Sequence, residues 1–240
     1  MNVSGIPLPP TALLLLLAAT ACGISIGEPG VRGSGRRIAE TRPVGDFDRV
    51  HVSGEFDVRI TSGTSPSLRI EGDDNLLPLV ETRIVDGALR VRSDRDLDPD
   101  RRILIEIGTP ALVGVETSGS SDVRATGVRS HAFDAGVSGS GNLDVEGSFG
   151  DLAISVSGSG TVVGKGAATT VDVEVSGSGD VDLLAVRART ARVSTSGSGD
   201  VSLAVSESLD ASTSGSGEVR YSGRPSVNAS VSGSGGVKRI

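Results

Sequence analysis

The chain has 240 residues, which is enough to bury one or two hydrophobic cores without disulfide staples. Gly accounts for 34 residues, aromatic residues for only 2%, and Trp is absent, so any core must consist mainly of Val, Leu, Ile and Ala. The net charge is −7 and the chain has no concentrated basic stretch, which argues against nucleic acid as a partner. The single Cys excludes an intrachain disulfide and a Cys-based zinc site.

The N-terminal segment has the features of an export signal. Residues 11–21, TALLLLLAATA, are apolar and end in small side chains immediately before Cys22. This stretch is shorter than the roughly 20 residues that a helix needs to span a bilayer. Residues 19–22 resemble a bacterial lipobox, although Leu is usual where this chain has Ala19 and no Lys or Arg precedes the apolar stretch. We predict a signal peptide over 1–21 and a lipid anchor on Cys22, which would attach the protein to a membrane without spanning it.

Two regions follow the predicted anchor. Residues 22–37 are rich in Gly and lack apolar periodicity, which predicts a flexible tether. Residues 38–117 alternate apolar and polar side chains in short runs, separated by turn-forming sequences such as SGTSP at 62–66 and DLDPD at 96–100. These runs predict β-strands that continue or cap the structure formed by the rest of the chain.

Residues 118–240 contain a repeated motif. It occurs as SGSS at Ser118 and as SGSG at Ser138, Ser157, Ser176, Ser196, Ser214 and Ser232, with spacings of 20, 19, 19, 20, 18 and 18 residues. Such a regular period in a chain of alternating apolar residues is typical of a solenoid. We therefore predict an all-β solenoid of about seven coils with 18–20 residues per coil.

The positions of apolar residues predict which side chains face the core. They fall five, three and one residue before the first Ser of the motif, and five and seven residues after it, as in Val171, Val173 and Val175 and then Val181 and Leu183. All these offsets are odd, so the side chains point to one side of an extended chain. The same parity through the motif predicts that both Gly residues face inward and both Ser residues face outward in ladders.

Three sequence elements occur in an order that resembles the GIN-domain family of auto-transporter adhesin heads. They are VGDFDRVHVSGEFDVRI from Val44, EGDDNLLPLVETRIVDGALRV from Glu71, and the SGSGDV units at Ser176 and Ser196. The resemblance extends from Val44 to Ile240. It implies a right-handed parallel β-helix on an exported or surface protein, often lipid-anchored, without catalytic residues to transfer. The chain departs from the motif at Ser121 and Gly236, which we expect to lie in the first and last coils, where repeats are atypical.

The sequence offers little that resembles a catalytic centre. His51 and His131 are 80 residues apart and match no metal or catalytic spacing. No Ser of the Ser-Gly repeat lies on a predicted strand-to-helix turn of the nucleophile-elbow type. We predict no catalytic residue, no metal and no cofactor.

An acidic residue follows four of the motifs, and three of these motifs are consecutive. Stacked coils would bring Asp180, Asp200 and Glu218 into one acidic column, which could collect Ca²⁺ through its oxygens. However, calcium-binding nonapeptide repeats have half this period and contain a GG pair. Solvated acids are therefore the favoured interpretation.

These observations favour a non-enzymatic lipoprotein of the cell envelope, at the outer membrane, cell surface or periplasm. It would serve as an adhesion, interaction or structural scaffold, anchored to the membrane by its lipid and bound to an unidentified protein or glycan. One alternative is a polysaccharide-binding or polysaccharide-cleaving β-helix, although cleaving grooves generally use aromatic platforms and only five aromatic residues are present. Another is an envelope assembly factor that binds a protein along an exposed sheet face.

Overall fold

The structure of the protein is a computed structural model, and it describes residues 30–240. The predicted signal peptide 1–21, Cys22 and the first part of the predicted tether lie outside the described residues. Within residues 30–240 the chain forms eighteen β-strands and one 3-10 helix. In this range no helix reaches the length and apolar character that a bilayer crossing needs.

The strands are, in chain order, β1 Val31–Arg32, β2 Arg37–Thr41, β3 Arg49–Gly54, β4 Phe56–Ser62, β5 Ser67–Asp73, β6 Val80–Val85, β7 Ala88–Ser93, β8 Leu97–Asp98, β9 Ile103–Thr109, β10 Gly114–Gly119, β11 Asp122–Gly139, β12 Asn142–Gly158, β13 Thr161–Gly177, β14 Asp180–Gly197, β15 Val201–Gly215, β16 Glu218–Ser222, β17 Ser226–Gly233 and β18 Gly236–Arg239. The 3-10 helix is Leu77–Leu79. The folded part begins earlier than the expected residue 38, because β1 pairs in parallel with β8.

Strands β10 to β18 stack in parallel and form a solenoid, as the repeat predicts. Asp122 lies opposite Asn142, Asn142 opposite Thr161, and Thr161 opposite Asp180. The offset between hydrogen-bonded partners therefore equals the spacing of the motifs in the sequence. The solenoid formed by the repeats has about seven turns.

Apart from β8, which pairs with β1 in a separate two-stranded sheet, the strands of 38–117 belong to the same sheet as the repeats and share their hydrophobic core. Strand β3 pairs in parallel with both β10 and β7, and β4 pairs in parallel with both β11 and β9. Residues 49–62 thus form a coil beneath the Ser118 coil, and β7 with β9 form a further coil beneath that one. Antiparallel strands cover this end, because β6 pairs with β7, β5 with β9, and β2 with β5.

The expectation that Ser121 lies in the first coil is therefore wrong. The coil below it contains only Ser53 and Gly54 of the motif and then continues with Glu55 and Phe56. Ser121 is fully buried, and its hydroxyl donates to the Gly54 carbonyl at 2.9 Å and accepts from the Phe56 amide at 3.1 Å. The departure from Gly is explained by these two hydrogen bonds.

The predicted core positions are confirmed. Val171, Val173, Val175, Val181 and Leu183 are all buried, and each stacks on a buried counterpart of the next coil. The counterparts are Ala191, Val193, Thr195, Val201 and Leu203. Burial of these β-branched and aliphatic columns provides the main favourable term in folding.

The motif forms a bend between two strand segments. Ser176 and Ser178 are exposed and Gly179 is buried, as the parity predicts. Gly177 departs from the expected inward position, because it is partly exposed and has a φ of +121°, a backbone conformation that residues with a side chain rarely adopt. A Cβ on Gly179 would lie closer than 3.0 Å to the carbonyl oxygen of Gly160 in the coil below. Glycine is therefore required at position 177 for the bend and at position 179 for the close contact between coils.

The C-terminal coil has no neighbour on one side within residues 30–240. Val227 and Val231, which lie above buried Leu209 and Thr213, are consequently exposed by 39% and 46%. Pro225 precedes this edge strand and Arg239 ends β18. Proline and cations are common on edge strands because they discourage pairing with other chains.

Substitutions in one motif test the parity. We expect Gly179→Ala to destabilise the protein by about 1–3 kcal/mol, because the methyl group would collide with the Gly160 carbonyl. Ser178→Ala introduces the same residue at an exposed neighbouring position and should change stability by no more than about 0.5 kcal/mol. Urea unfolding of both variants measures the difference, and equal destabilisation would contradict the inward placement of Gly179.

Candidate functional site: the serine face

The outward side chains of the strand segments that end at each motif form one continuous surface, here called the serine face. Its central column contains the first Ser of every motif in exact cross-strand register: Ser53, Ser118, Ser138, Ser157, Ser176, Ser196, Ser214 and Ser232. Neighbouring coils in such a sheet are about 4.8 Å apart. The sequence thus builds a regular ladder of eight hydroxyl groups.

A second column, two residues before each of these serines, changes in character along the solenoid. At the N-terminal end it contains His51 and Glu116, with Arg90 beside His51 in register, and near the C-terminal end it contains Glu174, Ser194 and Ser212. Between them lies Gly136, where a side chain would contact Glu116 and Ser155. The missing side chain leaves a depression in the face.

This depression is part of a groove of about 360 Å³ at the N-terminal end of the serine face. Its charged and titratable lining residues are His51, Arg90, Arg92 and Glu116. Hydroxyl groups along it come from Ser53, Ser118, Ser138, Ser155 and Ser157. The arrangement provides a cationic end and a series of donors and acceptors that extends from it.

Ion pairs neutralise several charges around the groove. Arg92 lies 3.0 Å from Glu81 and 3.1 Å from Asp94, and Arg83 shares the same Glu81 carboxylate at 2.5 Å. Hydrogen bonds from Arg83 and then Arg92 lower the pKa of Glu81 below its ordinary value. Arg90 takes part in none of the ion pairs found among residues 30–240.

The two histidines lie at different places. His51 lines the groove, with its Nε2 3.7 Å from a carboxylate oxygen of Glu116. His131 is exposed on β11 and is not among the residues that line the groove.

The structure brings Asp180, Asp200 and Glu218 together on successive coils, outside the serine face. The Asp180 carboxylate accepts the backbone N–H of Asp200 at 2.9 Å, and the Asp200 carboxylate accepts that of Glu218 at 2.9 Å. Arg220 lies 2.9 Å from Asp200 and 2.7 Å from Glu218, and Lys238 lies 2.8 Å from Glu218. The column is therefore bonded to backbone amides and cations, not only to solvent as the sequence suggested.

These cations affect the titration of the column. Hydrogen bonds from Lys238 and then Arg220 lower the pKa of Glu218 below its ordinary value. Within the part of the chain that the structure describes, no group of three or more His, Asp or Glu side chains is arranged to hold a metal ion.

Residues 46–225 match a protein family described as "Putative auto-transporter adhesin, head GIN domain". The chain belongs to the GIN-domain family. This membership agrees with the resemblance found in the sequence and with the solenoid fold.

Solved structures share the GIN-domain fold along most of the chain. A "putative adhesin" from Bacteroides fragilis is 26% identical with a TM-score of 0.84, and the match covers 88% of this chain and 100% of that one. A "putative lipid binding protein" from Parabacteroides distasonis is 23% identical with a TM-score of 0.72, over 88% and 99% of the two chains. A "putative adhesin" from Parabacteroides merdae is 24% identical with a TM-score of 0.70, over 88% and 98%. No curated protein matches the sequence.

Sequence reasoning missed the groove of this GIN domain. Its charged residues come from three separate segments, β3, β7 and β10, whose order in the stack differs from their order in the chain. One signal was present: HVSGEFDVR at 51–59 aligns with ETSGSSDVR at 116–124. That alignment would have placed His51 beside Glu116.

The acidic column yields a pH prediction. We expect Lys238→Gln to raise the pKa of Glu218, and Arg220→Gln to raise it too, because each removes a hydrogen bond to the carboxylate. With the folded pKa below the unfolded one, Glu218 stabilises the fold above the unfolded pKa, and this contribution is lost as pH falls through the folded pKa. Carboxyl ¹³C NMR titration measures the shift.

Lys165→Gln is the control for this titration, since Lys165 is exposed and forms no bond to Glu218. An unchanged Glu218 pKa in Lys238→Gln would contradict the ion pair.

Proposed function

We propose that this GIN domain is an exported, lipid-anchored adhesion module that binds its ligand through the serine face and is not an enzyme. Membership in a family of adhesin heads implies an exported or cell-surface protein. The observation that supports the proposal most strongly is the ladder of eight in-register serines leading into a charged groove. Such a surface offers repeated contacts to an extended ligand.

The solenoid suits this role because its face is rigid. Each serine of the ladder from Ser53 to Ser214 is fixed by backbone pairing to the coils above and below, and Ser232 to the coil below, over one continuous core. A preorganised surface loses less entropy on binding than a mobile one. Several weak contacts on one rigid support also raise the effective concentration of each further contact.

The acidic column has bonding partners that suit a structural role better than catalysis. Asp200 already accepts a backbone N–H and pairs with Arg220. A general acid or base needs a carboxyl group that is free to exchange a proton with the substrate. This arrangement supports a binding protein over a polysaccharide-cleaving enzyme.

The proposed anchor is the thioether lipid on Cys22. The described chain enters the fold at β1, which pairs with β8 near the capped end of the solenoid. An anchor attached through this end would leave the rest of the solenoid to extend away from the point at which the chain enters the fold. The protein would then be held at the envelope by its lipid alone.

Substitution of the anchor residue tests this attachment. We expect Cys22→Ser to abolish incorporation of a labelled fatty acid and to move the protein from the membrane to the soluble fraction, because Cys22 is the only Cys in the chain. Ser25→Ala should retain both the label and the membrane location. Equal labelling of wild type and Cys22→Ser would refute the lipid anchor.

A bulky residue on the serine face tests the binding surface. Beads coated with the full chain should attach to plates coated with a bacterial envelope extract, and Ala153→Trp should reduce the number attached by about tenfold, since Ala153 is exposed on the serine face next to the groove. Ala185→Trp adds the same side chain at an exposed bend on another face and should bind like wild type. Equal attachment by the two variants would contradict binding through the serine face.

A further inference from the structure

Building on the proposed function, we propose that the groove binds an acidic polysaccharide, with Arg90 pairing with a sugar carboxylate and the adjoining serines bonding to sugar hydroxyls. This assigns a chemical class of ligand and a principal contact residue to the serine face. The proposal rests on the charges around Arg90, on the groups that line the groove and on the repeat of the ladder.

The register neighbours of Arg90 provide it with no carboxylate, and the cation opposite it, Arg83, is itself paired with Glu81. In the antiparallel pair of β6 and β7, Arg90 lies directly opposite Arg83, and in the parallel pair of β7 and β3 it lies beside His51. Like charges at opposite positions destabilise a sheet. Local conflicts of this kind are expected at functional sites, where a ligand offsets them. An anion bound at Arg90 would offset the charge of its guanidinium group.

Arg192 shows that this environment is not a general property of the face. It lies on the same face, two coils towards the C terminus from Ala153, and its neighbours in register are Asp172 and Asp210. An arginine in this part of the sheet is thus flanked by acidic residues. Of the two arginines that line the groove, Arg92 is paired with Glu81 and Asp94, and Arg90 is the one left for an external anion.

The groove favours a carboxylate on a polyhydroxylated chain. Guanidinium binds carboxylates through two parallel hydrogen bonds. The serine hydroxyls that begin at Ser53 can each donate and accept, which matches sugar hydroxyl groups. Their regular repeat of about 4.8 Å suits an elongated polymer better than a single small molecule.

A protein partner fits less well. Protein interfaces depend on buried aromatic, Met and Arg anchors, and neither an aromatic nor a Met side chain lines the groove. All four Phe residues are at most 6% exposed, so aromatic stacking on a sugar is also excluded there. Binding must then depend on charge and hydrogen bonds, and it should weaken as salt is raised.

Binding of the full chain to immobilised polygalacturonate tests the proposal. We expect saturable binding that weakens with added NaCl and is absent on the neutral polymer dextran. Arg90→Gln should weaken the affinity about tenfold through loss of a charge-assisted contact. Arg192→Gln makes the same change in net charge and should stay within about twofold of wild type.

Thermal unfolding separates binding from folding. Arg90→Gln should be no less stable than wild type, because it removes a like charge opposite Arg83. A marked loss of stability would instead give Arg90 a structural role and would overturn the proposal. So would equal binding losses in Arg90→Gln and Arg192→Gln, or equal binding to dextran.

Vesicles of phosphatidylglycerol distinguish a lipid headgroup from a polysaccharide. Arg90-dependent binding to these vesicles without binding to polygalacturonate would overturn the polysaccharide assignment. If beads still attach to envelope extract when polygalacturonate does not bind, the adhesion function stands and this inference fails. If Ala153→Trp also leaves bead attachment unchanged, the proposed function fails as well.

Discussion

Backbone contact between glycines of successive coils is the constraint on which the rest of this structure depends. At both glycines of the motif a Cβ would collide with the coil below, as at Gly177, where it would lie 2.5 Å from the Gly158 oxygen. The repeated coils therefore stack at β-sheet distance because these motif positions carry glycine, and Ser121 is the exception, lying over Phe56 in the coil below. The 18–20-residue spacing of the motifs brings these positions into register, and it also sets which valine packs on which.

The same register determines the chemistry of the outer surface. Once glycines align, the serines before them must align too, and the ladder of hydroxyls is a direct consequence. The acidic residues after the motif align for the same reason, and backbone amides and the cations Arg220 and Lys238 then bond to them. A single packing rule inside the solenoid thus creates two distinct columns outside it.

The proposed binding site lies where the repeat is interrupted. The N-terminal strands do not stack in chain order, since β7 lies beneath β3 and β3 beneath β10. This arrangement brings Arg90, His51 and Glu116 onto one face and ends the uniform serine surface in a charged groove. In a protein with few exposed aromatic residues, such a junction of charge and hydroxyls is the natural place for specific binding.

The sequence by itself determined the all-β solenoid, its coil length, the buried columns such as Val171 to Val175 and the outward direction of Ser176 and Ser178. It could do so because period-two burial and glycine spacing are local properties that repeat many times. The environment of Arg90, the buried hydrogen bonds of Ser121 and the ion pairs of Glu218 were decided only by tertiary structure. Each of these arrangements joins residues from separate segments of the chain. Neither the order in which those segments stack nor the partner that a side chain selects produces a periodic signal in the sequence.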